Sequence, residues 1–314
     1  MTSQSLEPVR VTLAYRLGEL TLFERTLEGL ADRRHFTRQE VAAGLPDLPP
    51  DRAQSPFYFF PCYPVVEPPP VLVRRDGWLF YSPYSFRNYY IDLSRYDSFD
   101  HYLAKFSAKS RSTLRRKIKR FADGNGGVLR WCVKRTPDEM TEFLQLALPL
   151  AARTYQERLL GAGLPRSAEF ADKLRREAAA GRALGYLLFA NEEPVAYVLC
   201  FCRDGIATYD YVGFDPSAQT MSPGTVLQYL MLESMFSERR IAIFDFTEGE
   251  GLQKEFFATD HRVCSKTYVL RATFSNRLAI RAHRGLDALS SLIGRVLNAM
   301  GLKAGLRKLV RRVA

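Results

Sequence analysis

The sequence predicts an α/β fold in which a mixed, mostly antiparallel sheet is flanked by helices. Residues 185–190, 195–202 and 206–214 have the composition of three consecutive strands joined by turn sequences. A helix then begins at Ser222, and residues 241–246 form another strand-like run. Three antiparallel strands followed by strand–helix–strand give a mixed sheet with one parallel crossover.

The first hundred residues are predicted to be strand-rich. Residues 9–15 and 19–27 alternate between apolar and polar side chains, as strands do. Residues 71–73 and 78–81 flank an Asp76-Gly77 pair, which is a strong hairpin signal. The many aromatic residues of this region are expected to form core.

The helical part begins near Ser98. Apolar residues at helical spacing predict that the basic helix around residue 114 buries one stripe: Leu114, Ile118 and Phe121. Thr136 and Glu139 form a capping box that opens a helix running to about Leu160, with a kink at Pro149. A further helix is predicted over residues 167–180.

The net charge of +11 is concentrated in two blocks of the 314-residue chain. Residues 101–120 and residues 275–314 each carry a net charge of +8, and the rest is mildly acidic. Such blocks favour an anionic partner: a phosphate, an acidic protein, a nucleic acid or a membrane surface.

The composition also excludes several classes. The longest apolar run, residues 195–202, is too short to span a bilayer, which takes about 20 residues. The five cysteines contain no C-x-x-C pair, so no metal site is predicted. With no secretory signal at the start, the expected location is the cytoplasm.

The loop before the helix at Ser222 is the predicted ligand site. Ligands of open α/β sheets bind beyond the carboxyl end of a strand, where unpaired N–H groups at the next helix suit a phosphate. Ser222 can cap this helix, and Pro223 fits its first position. The alternative is that a Ser-Pro helix start needs no ligand.

The element order resembles the core of the GNAT (Gcn5-related) N-acyltransferases. In that family a Q/R-x-x-G-x-G/A loop binds the pyrophosphate of acyl-CoA, and residues 219–224 fit its spacing with serine in place of the first glycine. The resemblance therefore implies that acyl-CoA is the co-substrate and that five residues bind it: Gln219, Ser222, Pro223, Gly224 and Thr225.

Residues from about 98 to 275 resemble the CelD-like branch, which is similar to the Fem-type peptidyltransferases. The matching segments are Leu114-Arg115-Arg116, the S-P-G at residues 222–224, and a D-F-x-x-G-x-x-x-Y-K segment at residues 245–254 with glutamine at the aromatic position. The resemblance implies that residues 98–274 form a GNAT-like acyltransferase domain. It also implies that residues 1–97 are a reduced second copy of this fold, and residues 275–314 remain as a basic helical tail.

Acyl transfer to an amine needs a group that accepts the amine's proton. The candidate carboxylates are Asp210, Asp245, Glu248 and Glu250. Asp210 is unusual because aspartate is depleted within strands; the alternative is that it simply faces solvent. Asp245 ends the neighbouring strand, and its alternative role is to cap the next loop.

The remaining candidates assist the leaving group or hold the substrate. Tyr209 or Tyr211 could donate a proton to the leaving group, with core packing as the alternative. The resemblance places acceptor contacts on the kinked helix, and Lys254 and Glu248 are further substrate-binding candidates, the alternative being ordinary surface residues. The helix residues concerned are Arg153, Tyr155, Gln156 and Arg158.

Three classes of function remain open. The first is an N-acyltransferase that uses acyl-CoA or an acyl carrier protein and an amine-bearing acceptor. The second is a Fem-type transferase that draws on aminoacyl-tRNA. The third is a non-catalytic protein that binds nucleic acid or a membrane surface. The amphipathic pattern of residues 275–314 predicts a helix on an anionic membrane or, alternatively, one packed on its own domain.

Overall fold

The computed structural model describes residues 6–18, 20–32, 44–49, 55–153, 163–249 and 251–299. Within these ranges the chain forms eleven strands and seven α-helices. The strands are β1 Leu6–Leu17, β2 Leu20–Asp32, β3 Phe57–Pro64, β4 Leu72–Arg75, β5 Trp78–Asp92, β6 Arg130–Lys134, β7 Ala183–Ala190, β8 Glu193–Arg203, β9 Ile206–Phe214, β10 Ile243–Asp245 and β11 Asp260–Arg271. The helices are α1 Phe99–Leu103, α2 Ala108–Asp123, α3 Pro137–Ala151, α4 Ala168–Ala179, α5 Pro223–Glu238, α6 Leu252–Phe257 and α7 Phe274–Ala299.

The local signals identify most of these elements. Asp76 and Gly77 both have positive φ and close the β4–β5 hairpin. Thr136 and Glu139 form the predicted capping box at the start of α3. The helix that should run to Leu160 is described only as far as α3 and the next two residues. The six-residue helix α6 is an addition that the sequence did not predict.

The described residues divide into two compact units, one within residues 88–261 and one within residues 1–87 and 262–314. The predicted domains were residues 1–97, 98–274 and 275–314. The compact units thus change at residue 88, inside β5, and at residue 262, inside β11.

The unit within residues 88–261 contains the predicted mixed sheet. Its strands follow the order β6-β7-β8-β9-β10, and β10 also pairs with the last residues of β5. Only the β9–β10 pair is parallel among these neighbours. One buried cluster includes residues of α1, α2 and α5, and a second includes residues of α3 and α4. The fold is therefore the predicted α/β sheet flanked by helices.

The other unit contains the N-terminal strands and α7. Strands β1, β2, β3 and β11 are neighbours in that order, and β4 pairs with β5. Helix α7 belongs to this unit through one face: Ile280 is buried in a core with Leu13 and Tyr81. The Tyr81 hydroxyl lies 2.7 Å from His283 Nδ1. This packing supports the alternative prediction for residues 275–299, a helix packed on its own domain.

Candidate active site

Strands β9 and β10 separate at the carboxyl end of their parallel pairing. They pair from Ile206 opposite Ile243 to Thr208 opposite Asp245. β10 ends there, whereas β9 continues to Phe214. Ligands bind at such points in open α/β sheets, because the separating strands leave a crevice at their carboxyl ends.

A β-bulge lies in β9 at this level. Leu199 of β8 pairs with Tyr211, and Cys200 pairs with Tyr209, so Asp210 is an extra residue between the two pairs. A bulge locally breaks the alternation of side chains along a strand. Simple alternation would have placed both tyrosines on one face.

The bulge separates the two candidate tyrosines. The Tyr209 ring packs 5.5 Å from that of Phe244 in the cluster that also contains α2 and α5. The Tyr211 ring packs 5.4 Å from Phe170 in the cluster of α3 and α4. Burial raises the pKa of the Tyr209 phenol well above its ordinary value. Tyr209 is therefore protonated at neutral pH. Tyr211 lies in a different apolar cluster and does not share this environment.

Asp210 holds the bulge together. Its Oδ2 accepts hydrogen bonds from the Phe201 backbone N–H at 3.2 Å and from the Thr208 hydroxyl. The residue is otherwise exposed. Asp210 is thus the extra residue of the bulge, and its carboxylate accepts a hydrogen bond from a backbone N–H of the neighbouring strand β8. This local role accounts for an aspartate in the middle of a strand.

Asp245 is buried and organises the loop after β10. Its Oδ1 accepts hydrogen bonds from the Thr247 backbone N–H at 2.7 Å and from Asn88 Nδ2 at 2.8 Å. The Thr247 hydroxyl in turn donates to the Tyr209 carbonyl oxygen at 3.2 Å. This arrangement corresponds to the alternative role that the sequence offered for Asp245, which was capping the next loop.

Lys254 also holds the loop that follows β10. Its Nζ donates to the carbonyl oxygens of Phe246 and Glu248, at 2.8 and 2.7 Å. The Glu248 side chain is exposed. Glu250 lies outside the described residues. The lysine that was predicted to bind substrate therefore uses its ammonium group to hold a turn.

The loop before α5 has fewer free N–H groups than a phosphate loop needs. Residues Pro216–Met221 form a 3₁₀ helix, and Ser222 follows with a left-handed φ of 55°. The Ser222 N–H donates to the Gln219 carbonyl, Pro223 has no N–H, and the Thr225 N–H donates to the Ser222 carbonyl. Within residues 222–225, only the Gly224 N–H has no backbone acceptor among the described residues.

The expectation that the Ser222 side chain caps α5 was wrong. Ser222 is the N-cap residue, but its hydroxyl makes no capping hydrogen bond. Capping needs extended backbone at the N-cap, whereas the left-handed conformation directs the side chain elsewhere.

Arg153 is the one substrate-binding candidate on the kinked helix that the structure describes; Tyr155, Gln156 and Arg158 lie outside the described residues. Its Nη1 lies 3.4 Å from Oδ2 of Asp215, the residue directly after β9. Burial opposes ionisation of Asp215, but hydrogen bonds from Ser217 and the charge of Arg153 together lower the pKa of Asp215. Arg153 is thus placed beside the loop that leads to α5.

A groove of about 460 Å³ opens at the amino end of α5. Its walls come from three helices: Lys109, Ser110, Thr113, Leu114 and Lys117 of α2, Thr225 of α5, and Leu252, Gln253, Phe256 and Phe257 of α6. Lys117 Nζ lies 3.4 Å from the Thr225 hydroxyl oxygen. The groove therefore combines two positive charges and no acid with a partly apolar wall, at a size typical of small-molecule sites.

A larger cavity, of about 530 Å³, lies at the opposite end of β9, by the β8–β9 turn. Four arginines line it: Arg135, Arg182, Arg203 and Arg240. None of the predicted catalytic or binding residues is among its walls. The smaller groove is the candidate donor site because it adjoins the first turn of α5.

The sequence did not identify the groove lysines. In the sequence, Lys109 and Lys117 are members of a basic block, and the family motif in that block contains Arg115 and Arg116, which are exposed. Their spacing of eight residues, about two helical turns, could have indicated a shared face. Among the described residues no group of three or more potential ligands could hold a metal ion. No described helix has a stretch both long and apolar enough to cross a bilayer.

Comparison with protein families identifies the central region. Residues 108–256 match the family described as an acetyltransferase (GNAT) domain. This match runs from α2 to all but the last residue of α6, and it includes β9, β10 and every groove residue except Phe257. It does not distinguish a CelD-like branch, which stays a prediction. No curated protein sequence matches the chain.

Several solved structures are similar to the protein. L-PGS from Bacillus licheniformis has 17% identity and a TM-score of 0.47, over 73% of this chain and 72% of that one. The C-terminal domain of a putative lysylphosphatidylglycerol synthetase from Agrobacterium fabrum has 12% identity and a TM-score of 0.44, over 77% and 72%. FemX has 13% identity and a TM-score of 0.41, over 61% and 62%.

Proposed function

From the GNAT-type acetyltransferase domain at residues 108–256, we propose that the protein is an N-acyltransferase that binds an acyl thioester in the groove between α2, α5 and α6. The observation that carries the proposal is the position of this groove. It places Lys109 and Lys117 at the amino end of α5, the helix that follows β9 beyond the separation of β9 and β10. The thioester is that of acyl-CoA or of an acyl carrier protein, whose acidic surface complements the basic α2.

The reaction is acyl transfer to an amine. The amine nitrogen attacks the thioester carbonyl carbon, the carbon–sulfur bond breaks, and the sulfur leaves as a thiolate. The proton of the amine passes to the carboxylate of Asp210, directly or through water, and the Tyr209 hydroxyl donates a hydrogen bond to the leaving sulfur. The raised pKa of Tyr209 favours hydrogen bonding over full proton transfer.

Asp245 and Lys254 act as positioning residues in this proposal. Both hold the loop at residues 246–249, whose Thr247 side chain bonds to the backbone of Tyr209. Tyr211 is assigned to packing, because its ring lies in the cluster of α3 and α4.

The test compares conservative variants across the bulge. Asp210→Asn keeps an oxygen that can accept from the Phe201 N–H but cannot take up the amine's proton, so turnover should fall by about 10²–10⁴ while the melting temperature is kept. Asp245→Asn should mainly cost stability, by about 1 kcal/mol. Tyr209→Phe should lower turnover more than its matched control, Tyr211→Phe. If Asp210→Asn keeps full activity and Asp245→Asn loses it, the two assignments must be exchanged.

A second donor is favoured by one observation. Because only the Gly224 N–H lacks a backbone acceptor within residues 222–225, side chains rather than a backbone loop would have to bind the donor's phosphates. The exposed Arg115 and Arg116 offer such contacts to an aminoacyl-tRNA. Purified protein should then carry tRNA and show no melting-temperature shift with millimolar CoA. Protein that is free of tRNA and whose melting temperature rises with CoA would instead support the thioester donor.

We also propose that α7 brings the enzyme to an anionic membrane. Helix α7 exposes six large apolar residues: Phe274, Leu278, Leu289, Leu292, Ile293 and Val296. Exposed arginines lie beside them, and residues 300–314 add five basic residues and no acid. Apolar side chains with flanking positive charge are typical of helices at anionic lipid surfaces.

A further inference from the structure

Gln228 carries a buried polar group without a partner. It lies in α5 and is fully buried. Its Oε1 accepts a 2.7 Å hydrogen bond from Gln253 Nε2. Its own Nε2 has no hydrogen-bond partner among the described residues. A buried donor that is left unpaired destabilises a fold, so its presence calls for an acceptor that arrives with a ligand.

The position of Gln228 links it to the groove. Thr225 lines the groove, and Gln228 follows it by three residues, which places both on one side of α5. Gln253 also lines the groove and is itself exposed, and its Nε2 donates to the Gln228 carboxamide oxygen. This hydrogen bond joins the buried carboxamide of Gln228 to a residue of the groove wall.

The chemistry of the groove indicates the kind of acceptor. Lys109 and Lys117 supply the positive charges that phosphates need, and the carboxamide N–H of Gln228 is a neutral donor that can bond to an amide carbonyl oxygen. Leu252, Phe256 and the other apolar walls suit methylene groups. A ligand that combines phosphates, methylenes and amide carbonyls has the composition of the phosphopantetheine arm of CoA or of a carrier protein.

We propose that Gln228 and Gln253 form a pair that recognises a carbonyl of the pantetheine arm. Gln253 orients the Gln228 carboxamide through its oxygen, and the Gln228 Nε2–H donates to an amide oxygen of the arm. This inference rests on the proposed thioester donor. It assigns the selection of pantetheine-bearing donors to these two residues, while the lysines contribute affinity for phosphate in general.

The test is isothermal titration of the full chain with two probes, acetyl-CoA and 3′,5′-ADP, which has phosphates but no pantetheine arm. Gln228→Met keeps the side-chain length and removes the unpaired donor, so the melting temperature should be equal or higher. Its affinity for acetyl-CoA should fall at least tenfold, and its affinity for 3′,5′-ADP should not change. The matched control is Gln145→Met, the same substitution at an exposed position of α3, which should alter neither.

The outcomes separate this inference from the proposed function. If the wild-type chain binds acetyl-CoA and Gln228→Met binds it equally well, the pair has no part in recognition and the inference fails alone. If the wild-type chain binds neither probe, acyl-CoA as the donor and the inference fail together, whereas a carrier-protein donor is tested separately with an acylated carrier protein. Should Gln228→Met not fold, Gln253→Ala on the exposed side of the pair decides: unchanged affinity for acetyl-CoA overturns the inference, and a selective loss supports it.

Discussion

The basic helices α2 and α7 lie largely in the two blocks of equal net charge, residues 101–120 and 275–314, and differ in which side chains they bury. Helix α2 buries its apolar residues Leu114 and Phe121 and exposes its charges. Helix α7 buries the polar residues Asn276 and His283 together with Ile280, and leaves a further set of large apolar residues exposed. A count of charges treats the two as equal, but the first offers cations to a small anion, whereas the second offers apolar side chains rimmed by cations.

The buried side of α7 is held by specific polar contacts. Asn276 accepts a 2.6 Å hydrogen bond from Arg25 and donates to the Arg271 carbonyl oxygen at 2.9 Å. Nδ1 of His283 lies 2.7 Å from the Tyr81 hydroxyl and 3.1 Å from Oδ2 of Asp287. Because Tyr81 is buried and Arg25 is half-buried, removing the helix would take away these hydrogen-bond partners of both side chains.

The largest expected effect follows from removing α7. A chain ending at Thr273 should lose cooperative melting, since it exposes the core around Ile280 and leaves the Tyr81 hydroxyl unpaired. Burial of a side chain such as Ile280 alone contributes about 1.5–3 kcal/mol. A chain that ends at residue 299 is the control and should melt like the full chain. Thermal circular dichroism decides, and an unchanged melt of the shorter chain would show that α7 is an appendage.

The sequence predicted the features that depend on a few consecutive residues. It missed those that depend on contacts between residues far apart in the sequence. The Asp76-Gly77 turn and the Thr136 capping box are short signals that act within a few residues, and both are confirmed. The bulge at Asp210 arises from pairing with β8, so alternation along one strand could not reveal it. It is this bulge that separates Tyr209 from Tyr211.

The groove escaped prediction for a related reason. Its walls come from three helices far apart in sequence, and α6 is too short to show helical periodicity. Gln228 has the residue type of a surface position, so only its burial identifies it. Gln253 departs from the aromatic residue of the resembling motif, and its bond to Gln228 gives this departure a physical reason.

The exposed side of α7 can be tested without disturbing its buried side. Leu292→Glu with Ile293→Glu places two carboxylates among the exposed apolar residues. The side chains that they replace are 51% and 39% exposed. Binding to liposomes that contain anionic lipid should fall at least tenfold in a sedimentation assay, and melting should be unchanged. The matched variant Lys109→Ala with Lys117→Ala, in α2, should sediment as the wild type does. Equal loss in both variants would show that charge alone governs the interaction.

The reciprocal experiment addresses α2. Lys109→Ala with Lys117→Ala should weaken binding of acetyl-CoA by about tenfold, since it removes the two lysines that are proposed to contact its phosphates. The control is Arg281→Ala with Arg295→Ala, which removes the same charge from exposed positions of α7. Titration calorimetry at two salt concentrations should show a smaller salt dependence for the α2 variant only. A similar loss in both variants would mean that the net charge, and not the groove, attracts the ligand.

The smallest expected effect concerns how far along α7 the packed side extends. Ser290 Oγ accepts a 3.0 Å hydrogen bond from the Gly18 backbone N–H and donates to the Arg16 carbonyl oxygen at 3.1 Å. Ser290→Ala should therefore lower the free energy of unfolding by about 1 kcal/mol. Ser291→Ala is the matched control, because the neighbouring serine is exposed and the same atom is removed. Urea unfolding of both variants measures the difference. If the two variants are equally stable, the hydrogen bonds of Ser290 do not stabilise the fold. The packed part of α7 would then end before Ser290, and these hydrogen bonds would not hold the exposed apolar residues that follow it.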